Sequence, residues 1–213
     1  MKRLFFIFLF PFLTLSASAR ETEVKPDDAF ATWTDIIVRK DLGKWHVGGL
    51  VEYCTIDKGA GMTNNEVVLR PIVGYNPLPW LRFQYQMDFL YSFYTGFYLR
   101  YIPDVTLHWK ASDFRFAFRT RVQFSHKVDA GTVSTAFRNR LKVEYLIPDS
   151  PVSLHMAAEP YWLTSFIKTR YYIGADFKVH RNLTLSADYI RYQHYAPATP
   201  HQNVVFLTCY VRL

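Results

Sequence analysis

Strict alternation of apolar and polar residues runs through most of this 213-residue chain. Across residues 81–89, every odd-numbered residue is apolar and every even-numbered residue is charged or carries an amide. Residues 114–124 and 137–145 repeat the pattern. Because successive side chains of a β-strand point to opposite faces, a period of two predicts strands with one apolar and one polar face.

The composition agrees with this fine interleaving. Half of the residues are hydrophobic and 18% are aromatic, yet the mean hydropathy is close to zero. Such a chain is too hydrophobic for a disordered protein. It also lacks, beyond its N-terminus, the apolar runs of about 18 residues that a helical membrane protein needs.

Eleven segments carry the alternation, most of them about 10–14 residues long, which is enough for a tilted strand to cross a bilayer. Short turns alternate with longer connections between them, as in outer-membrane barrels. We therefore predict an all-β, antiparallel, transmembrane up-and-down β-barrel. Bacterial barrels usually have an even number of strands, so we expect about twelve, with ten as the alternative. A soluble barrel or sandwich, with its apolar face inward, is the competing fold.

The first residues look like an export signal. Lys2 and Arg3 precede an apolar run at 4–15, and Ala17-Ser18-Ala19 is a small-residue cleavage site. We predict a signal peptide at 1–19 and a barrel at 20–213, located in the bacterial outer membrane. Outer-membrane lipid is the expected partner, and no nucleic acid is expected.

The tryptophans fall at two heights along the predicted strands. Trp45, Trp80 and Trp109 lie beside short turns, whereas Trp33 and Trp162 lie towards the opposite ends. Because aromatic girdles mark both interfaces of a membrane barrel, we predict that all five belong to such girdles.

The last strand alternates apolar residues up to Leu213. It resembles the C-terminal signal that the barrel-assembly machinery reads, with Leu213 where an aromatic residue is usual. This resemblance implies that the assembly machinery is a partner.

Several further motifs are spread over most of the mature chain. They are Thr32-Trp33-Thr34, Arg138-Asn139-Arg140-Leu141, Glu159-Pro160-Tyr161, Arg170-Tyr171-Tyr172-Ile173-Gly174-Ala175-Asp176-Phe177, Asn182-Leu183 and Asp188-Tyr189. Together they resemble an uncharacterised family, a domain of unknown function, of Gram-negative outer-membrane β-barrel proteins. The family usually carries Asn where this chain has Ala158. The resemblance implies location and fold, and it implies no activity.

Counting residues across the turns brings charged side chains together on the polar face. The count places Arg140 opposite Glu159, Glu159 near Arg170, and Arg121 near Arg138. We therefore predict a charged cluster in the lumen: Arg121, Arg138, Arg140, Glu159 and Arg170. One interpretation is a network that packs a narrow barrel. The other is a site in a narrow pore for small anionic solutes, because guanidinium groups bind carboxylate and phosphate.

Catalytic, cofactor and metal sites are not predicted. Ser153 and His155 share a face, but two residues along a strand span about 7 Å, too far for a Ser–His hydrogen bond. Cys54 and Cys209 fall at different heights, so we predict that they stay unpaired. An outer-membrane lipid-modifying enzyme and a binding scaffold for another envelope component are the alternative functions.

Overall fold

A computed structural model of the chain describes residues 28–57, 61–196 and 199–213. These residues form eleven strands and one 3₁₀ turn, Val128–Ala130. The strands are β1 (Ala29–Leu42), β2 (Trp45–Asp57), β3 (Met62–Leu78), β4 (Leu81–Ser92), β5 (Gly96–Ala111), β6 (Phe114–Lys127), β7 (Thr132–Leu146), β8 (Val152–Trp162), β9 (Phe166–His180), β10 (Leu183–His194) and β11 (Gln202–Arg212). The predicted signal peptide at 1–19 lies outside the described residues.

The strands close into a single barrel in chain order, which confirms the predicted all-β barrel. Each strand pairs antiparallel with the next, and β1 closes the ring by pairing parallel with β11. The expected count of twelve or ten strands is corrected to eleven in the described part of the chain. An odd number of up-and-down strands leaves the first and last running in the same direction, so their pairing must be parallel.

Tight turns connect the strands at one end of the barrel, which we call the turn rim. The turns after β1, β5 and β7 contain residues with positive φ: Gly43 at 64°, Ser112 at 52° and Asp149 at 55°. Two-residue hairpins favour such backbone angles because they match the twist of the flanking strands. The connections at the opposite end, the loop rim, are mostly longer, up to residues 195–201.

The barrel presents its apolar residues outward and encloses polar ones. On β1, Asp35 is only 4% exposed whereas its neighbour Ile36 is 51% exposed. The same alternation leaves large apolar side chains exposed on every strand. A water-soluble protein shows the reverse arrangement, because burial of apolar surface drives its folding. No helix in the described ranges is long and apolar enough to cross a membrane.

A glycine lets two polar side chains meet across an intervening strand near the turn rim. His155 on β8, Gly174 on β9 and Asp188 on β10 are neighbours in register. His155 Nε2 donates a hydrogen bond to Asp188 Oδ1 at 2.6 Å. A Cβ on Gly174 would lie 2.6 Å from this oxygen and 2.6 Å from the backbone oxygen of Ala187. Only glycine therefore fits at this position without displacing its neighbours.

The same arrangement recurs on the other side of the barrel. His46 on β2, Gly74 on β3 and Gln84 on β4 are also register neighbours. The fully buried ring of His46 crosses Gly74 and donates to Gln84 Oε1 at 3.1 Å. A Cβ on Gly74 would lie 2.0 Å from the imidazole. Both bridges tie three strands together from the interior.

The two cysteines are free, which confirms that prediction. Cys54 pairs in register with Trp33, whereas Cys209 pairs with Ile36. Because Trp33 and Ile36 differ in parity along β1, the two thiols belong to opposite faces of the sheet.

Candidate functional site

A fully buried carboxylate is the centre of the largest charged cluster. Glu159 on β8 is bound through both oxygens by Arg138 Nη2 at 3.1 Å. Arg119 Nη2 donates to Oε1 at 2.9 Å, and the Tyr172 hydroxyl donates to Oε2 at 2.8 Å. Arg170 Nη1 lies 3.8 Å from Oε2. We call these five residues the Glu159 network.

The register of four consecutive strands assembles this network. Glu159 pairs with Arg170 across β8 and β9, and Arg121 pairs with Arg138 across β6 and β7. Each of these residues shares the interior-facing parity of its strand, so their side chains converge inside the barrel. Since like charges directly opposite one another destabilise a sheet, the paired arginines need an anion between them. Glu159 supplies it for Arg138, and Asp104 supplies it for Arg121.

The structure divides the predicted cluster into three parts. Arg138, Glu159 and Arg170 lie together in the Glu159 network. Arg121 instead pairs with Asp104 on β5 at 3.0 Å. Arg140 has no ion pair or hydrogen bond among the described residues, and its guanidinium carbon lies 5.9 Å from the centre of the Tyr172 ring.

Two members of the network are not among the residues predicted from the sequence. Arg119 lies two residues before Arg121 on the same face of β6, and it reaches Glu159 past β7. Tyr172 lies two residues after Arg170 on the same face of β9. Each lies two positions from a predicted residue and therefore faces the same side of its strand. This odd or even parity is the sequence signal that identifies them. Counting only directly opposite pairs on adjacent strands leaves out Arg119, which is two strands from Glu159, and Tyr172, which is its diagonal neighbour.

Aromatic rings surround the arginines towards the loop rim. The Arg170 guanidinium lies 4.4 Å from the centre of the Tyr192 ring, 4.6 Å from that of Tyr161 and 5.3 Å from that of Trp33. Arg138 lies 4.3 Å from the Tyr161 ring. Cation–π contacts at these distances stabilise a positive charge that burial has partly stripped of water.

These contacts correct the prediction for Trp33. Trp33 packs edge-on against Tyr192 and Phe206 in the interior, rather than in an outward girdle. Its height in the strand suggested a girdle, but it shares parity with buried Asp35 and therefore faces inward.

The other four tryptophans lie on the outside. Trp45, Trp80 and Trp109 are exposed beside the turn rim. Trp162 packs against Phe137 and Phe166 at the end of β8, near the loop rim. That arrangement places aromatic rings at both ends of the apolar outer surface.

The described residues line two cavities in the interior. The turn-rim cavity, about 570 Å³, reaches the β9–β10 turn at Arg181. Its charged lining consists of Arg39, Arg115, Arg140, Lys142, His155, Asp176, Lys178, Arg181, Asp188 and Arg212. The central cavity, about 560 Å³, extends from His46 near the turn rim to Gln202 near the loop rim. Five residues line both cavities and so lie where the two meet: Arg39, Arg140, Tyr172, Phe206 and Tyr210. Of the two arginines, Arg39 is paired with Asp41.

Carboxylates form the opposite wall of the central cavity. Asp35 on β1 is paired in register with Glu52 on β2, and both line the cavity. Arg70 Nη2 binds Asp88 Oδ2 at 3.0 Å beside them. Asp35 Oδ1 is buried and has no hydrogen-bond partner within the described ranges. In the central cavity, β1–β4 thus contribute four carboxylates beside three arginines, whereas the charged residues that β6–β9 contribute are all basic: Arg119, Arg121, Arg138, Arg140, Lys168 and Arg170.

Ser153 and His155, the two residues considered for catalysis, form hydrogen bonds with other residues. Ser153 donates to Glu144 at 2.7 Å, and His155 donates to Asp188. The pair therefore lacks the Ser–His hydrogen bond of an activated nucleophile. In the described part of the chain, no group of three or more His, Cys, Asp or Glu residues is arranged to hold a metal ion.

Comparison with known proteins gives a fold neighbour and a family. No curated protein matches the sequence. A crystal structure of the NanC porin, in a rhombohedral form, is similar with a TM-score of 0.52 at 14% identity, covering 85% of this chain and 99% of that one. At that identity the likeness shows a porin-like barrel fold. The family model described as "Protein of unknown function (DUF2490)" matches residues 30–203, and the chain therefore belongs to this family.

Proposed function

We propose that this protein is a narrow, anion-preferring pore of the Gram-negative outer membrane. Three features support the membrane location: the outward apolar surface, strands of 11 to 17 residues, and exposed tryptophans at the turn rim. These are the properties of barrels whose outer face contacts lipid and whose interior is polar. The porin-like fold agrees with this placement.

The C-terminal strand supports delivery to the same membrane. On β11, Val205 and Leu207 alternate outward and Leu213 is 69% exposed. The barrel-assembly machinery is thus the proposed partner in folding, and lipid is the proposed partner of the finished outer surface.

The observation that carries the pore proposal is Arg140. Its charge has no carboxylate partner among the described residues, and it lies where the two cavities meet. A planar guanidinium binds carboxylate and phosphate through two parallel hydrogen bonds. An anion that moves from one cavity to the other passes this group.

The turn-rim cavity provides a basic entrance to that point. Seven Arg or Lys residues line it, against two Asp residues. Both aspartates are already engaged, Asp188 with His155 at 2.6 Å and Asp176 with Lys142 at 3.4 Å. Lys142 is paired with Asp176, and Arg39 and Arg212 share Asp41. The positive charge that remains raises the local concentration of anions, because low-dielectric walls focus the field.

Replacing Arg140 by Glu tests the pore. We expect purified protein in a planar bilayer to conduct small ions with a preference for chloride over potassium. Arg140→Glu should reverse that preference, shifting the reversal potential in a salt gradient, since it changes the charge at the junction by two units.

A matched charge reversal serves as the control. Arg191 pairs with Asp28 near the loop rim and lines neither cavity, so Arg191→Glu should leave the reversal potential unchanged. Absence of any conductance, or equal shifts in both variants, would contradict the pore.

A further inference from the structure

We propose that the central cavity binds a small zwitterion, with its ammonium group between Asp35 and Glu52 and its carboxylate at Arg140. The inference names the class of solute for the proposed pore. It rests on the proposed function only in assigning the site a role in transport. Binding itself requires no conduction.

The acidic half of the site contains a buried carboxylate oxygen without a hydrogen-bond partner. Asp35 is 4% exposed, and its Oδ1 has no hydrogen-bond partner among the residues described. Glu52 lies directly across from it, and Glu52 Oε1 accepts a weak thiol hydrogen bond from Cys54 at 3.7 Å. Two adjacent carboxylates in a protein interior are costly while both are charged, and a cation between them removes that cost.

The nearby Arg70 forms no ion pair or hydrogen bond with Asp35 or Glu52 among the described residues. Arg70 is committed to Asp88, with Nη2–Oδ2 at 3.0 Å. The carboxylates of Asp35 and Glu52 are therefore left for a positive group that arrives through the cavity. An ammonium group, with three hydrogen-bond donors, can reach both of them together.

The basic half lies on the far side of the ring. In an eleven-stranded barrel, β7 is five strands away from β2 and, by the shorter way round, five strands away from β1. Arg140 on β7 therefore faces Asp35 and Glu52 across the interior, and all three line the same cavity. The other arginine on the inner face of β7, Arg138, is held by Glu159, which leaves Arg140 available.

A zwitterion pairs with the charged groups on both walls of the cavity, whereas a simple ion pairs with those on one wall. An anion at Arg140 leaves the carboxylate pair unpaired, and a cation at that pair leaves Arg140 unpaired. Unpaired groups in a desolvated site reduce affinity, so a solute carrying both charges gains over either half alone. A cavity of about 560 Å³ accommodates a molecule of that size.

Equilibrium binding to the purified full-length protein in detergent tests the proposal. The probes are straight-chain ω-amino acids from glycine to 6-aminohexanoate, with the carboxylic acid and the amine of equal chain length. We expect at least one amino acid to bind about tenfold more tightly than both its matched acid and its matched amine. Affinity should pass through a maximum with chain length, because the distance between the two walls is fixed.

Two variants separate the halves of the site. Asp35→Asn should lower amino-acid affinity to that of the matched acid and leave acid binding unchanged. Arg140→Gln should weaken both. Asp149→Asn, the same Asp-to-Asn change at a turn residue with positive φ, should alter neither. Far-UV circular dichroism checks that each variant is folded.

The outcomes are distinct. Equal affinity for amino acid and acid, or no measurable binding of either by the folded protein, overturns the inference. Insensitivity of amino-acid binding to Asp35→Asn overturns it as well, because the carboxylate pair would then have no role. Selective binding without bilayer conductance would refute the pore and support the zwitterion site. Conductance without selective binding would refute the zwitterion site and support the pore.

Discussion

Glu159→Gln is expected to destabilise the barrel more than any other single change in its interior. The carboxylate is fully buried and neutralises Arg138 and Arg119, with Arg170 close by and Tyr172 donating to it. An amide removes the negative charge but leaves the guanidinium groups buried. Breaking a buried ion pair from one side costs about 3 to 5 kcal/mol. Urea titration of the protein refolded into lipid vesicles should show a loss of that size.

An exposed ion pair gives the matched comparison. Asp41 contacts Arg39 at 2.7 Å and Arg212 at 2.9 Å, and all three side chains are partly exposed. Asp41→Asn should therefore cost less than about 1 kcal/mol. The double variant Glu159→Gln with Arg138→Gln should recover part of the loss, since it removes one of the unpaired charges. A cost for Glu159→Gln as small as that for Asp41→Asn would show that water or ions replace the carboxylate.

Gly174→Ala is the second change with a large expected effect. Its new methyl group would lie 2.6 Å from both the backbone oxygen of Ala187 and the carboxylate of Asp188. Relief requires either a displaced β10 or loss of the hydrogen bond from His155 to Asp188. Overpacking of this kind costs about 1 to 3 kcal/mol, and the lost hydrogen bond to a charged group adds to it. The same urea titration measures the change.

Another glycine-to-alanine change isolates the steric cause. A Cβ on Gly49 of β2 would meet nothing closer than a backbone oxygen of Arg70 at 3.8 Å, an ordinary contact. Gly49→Ala should leave stability unchanged or raise it by about 0.4 to 1 kcal/mol, because alanine restricts the unfolded chain. If Gly174→Ala were equally harmless, the close packing around the His155–Asp188 bridge would be refuted.

Alternation in the sequence accounts for much of this structure. The eleven segments it marks are the eleven strands, and the residue count across the turns gives the same Glu159–Arg170 and Arg121–Arg138 neighbours as the sheet. Both inferences succeed because the period of a strand and the length of a short connection are local properties. Trp33 shows that height along a strand is not sufficient to predict a girdle residue. Its height indicated a girdle, but it lies two residues from Asp35 and therefore faces the interior.

Closure of the barrel determines strand pairings and side-chain contacts that no local sequence pattern specifies. The parallel pairing of β1 with β11 joins segments from the two ends of the chain. The pairing of Arg119 with Glu159 depends on reach over the intervening strand β7, whereas Arg121 binds its direct register neighbour, Asp104. The meeting of the two cavities at Arg140, opposite Asp35 and Glu52, depends on the position of each strand around the ring. Sequence thus determined which side chains face inward, and only the closed sheet determined which of them meet, because distance across a barrel is not encoded in separation along the chain.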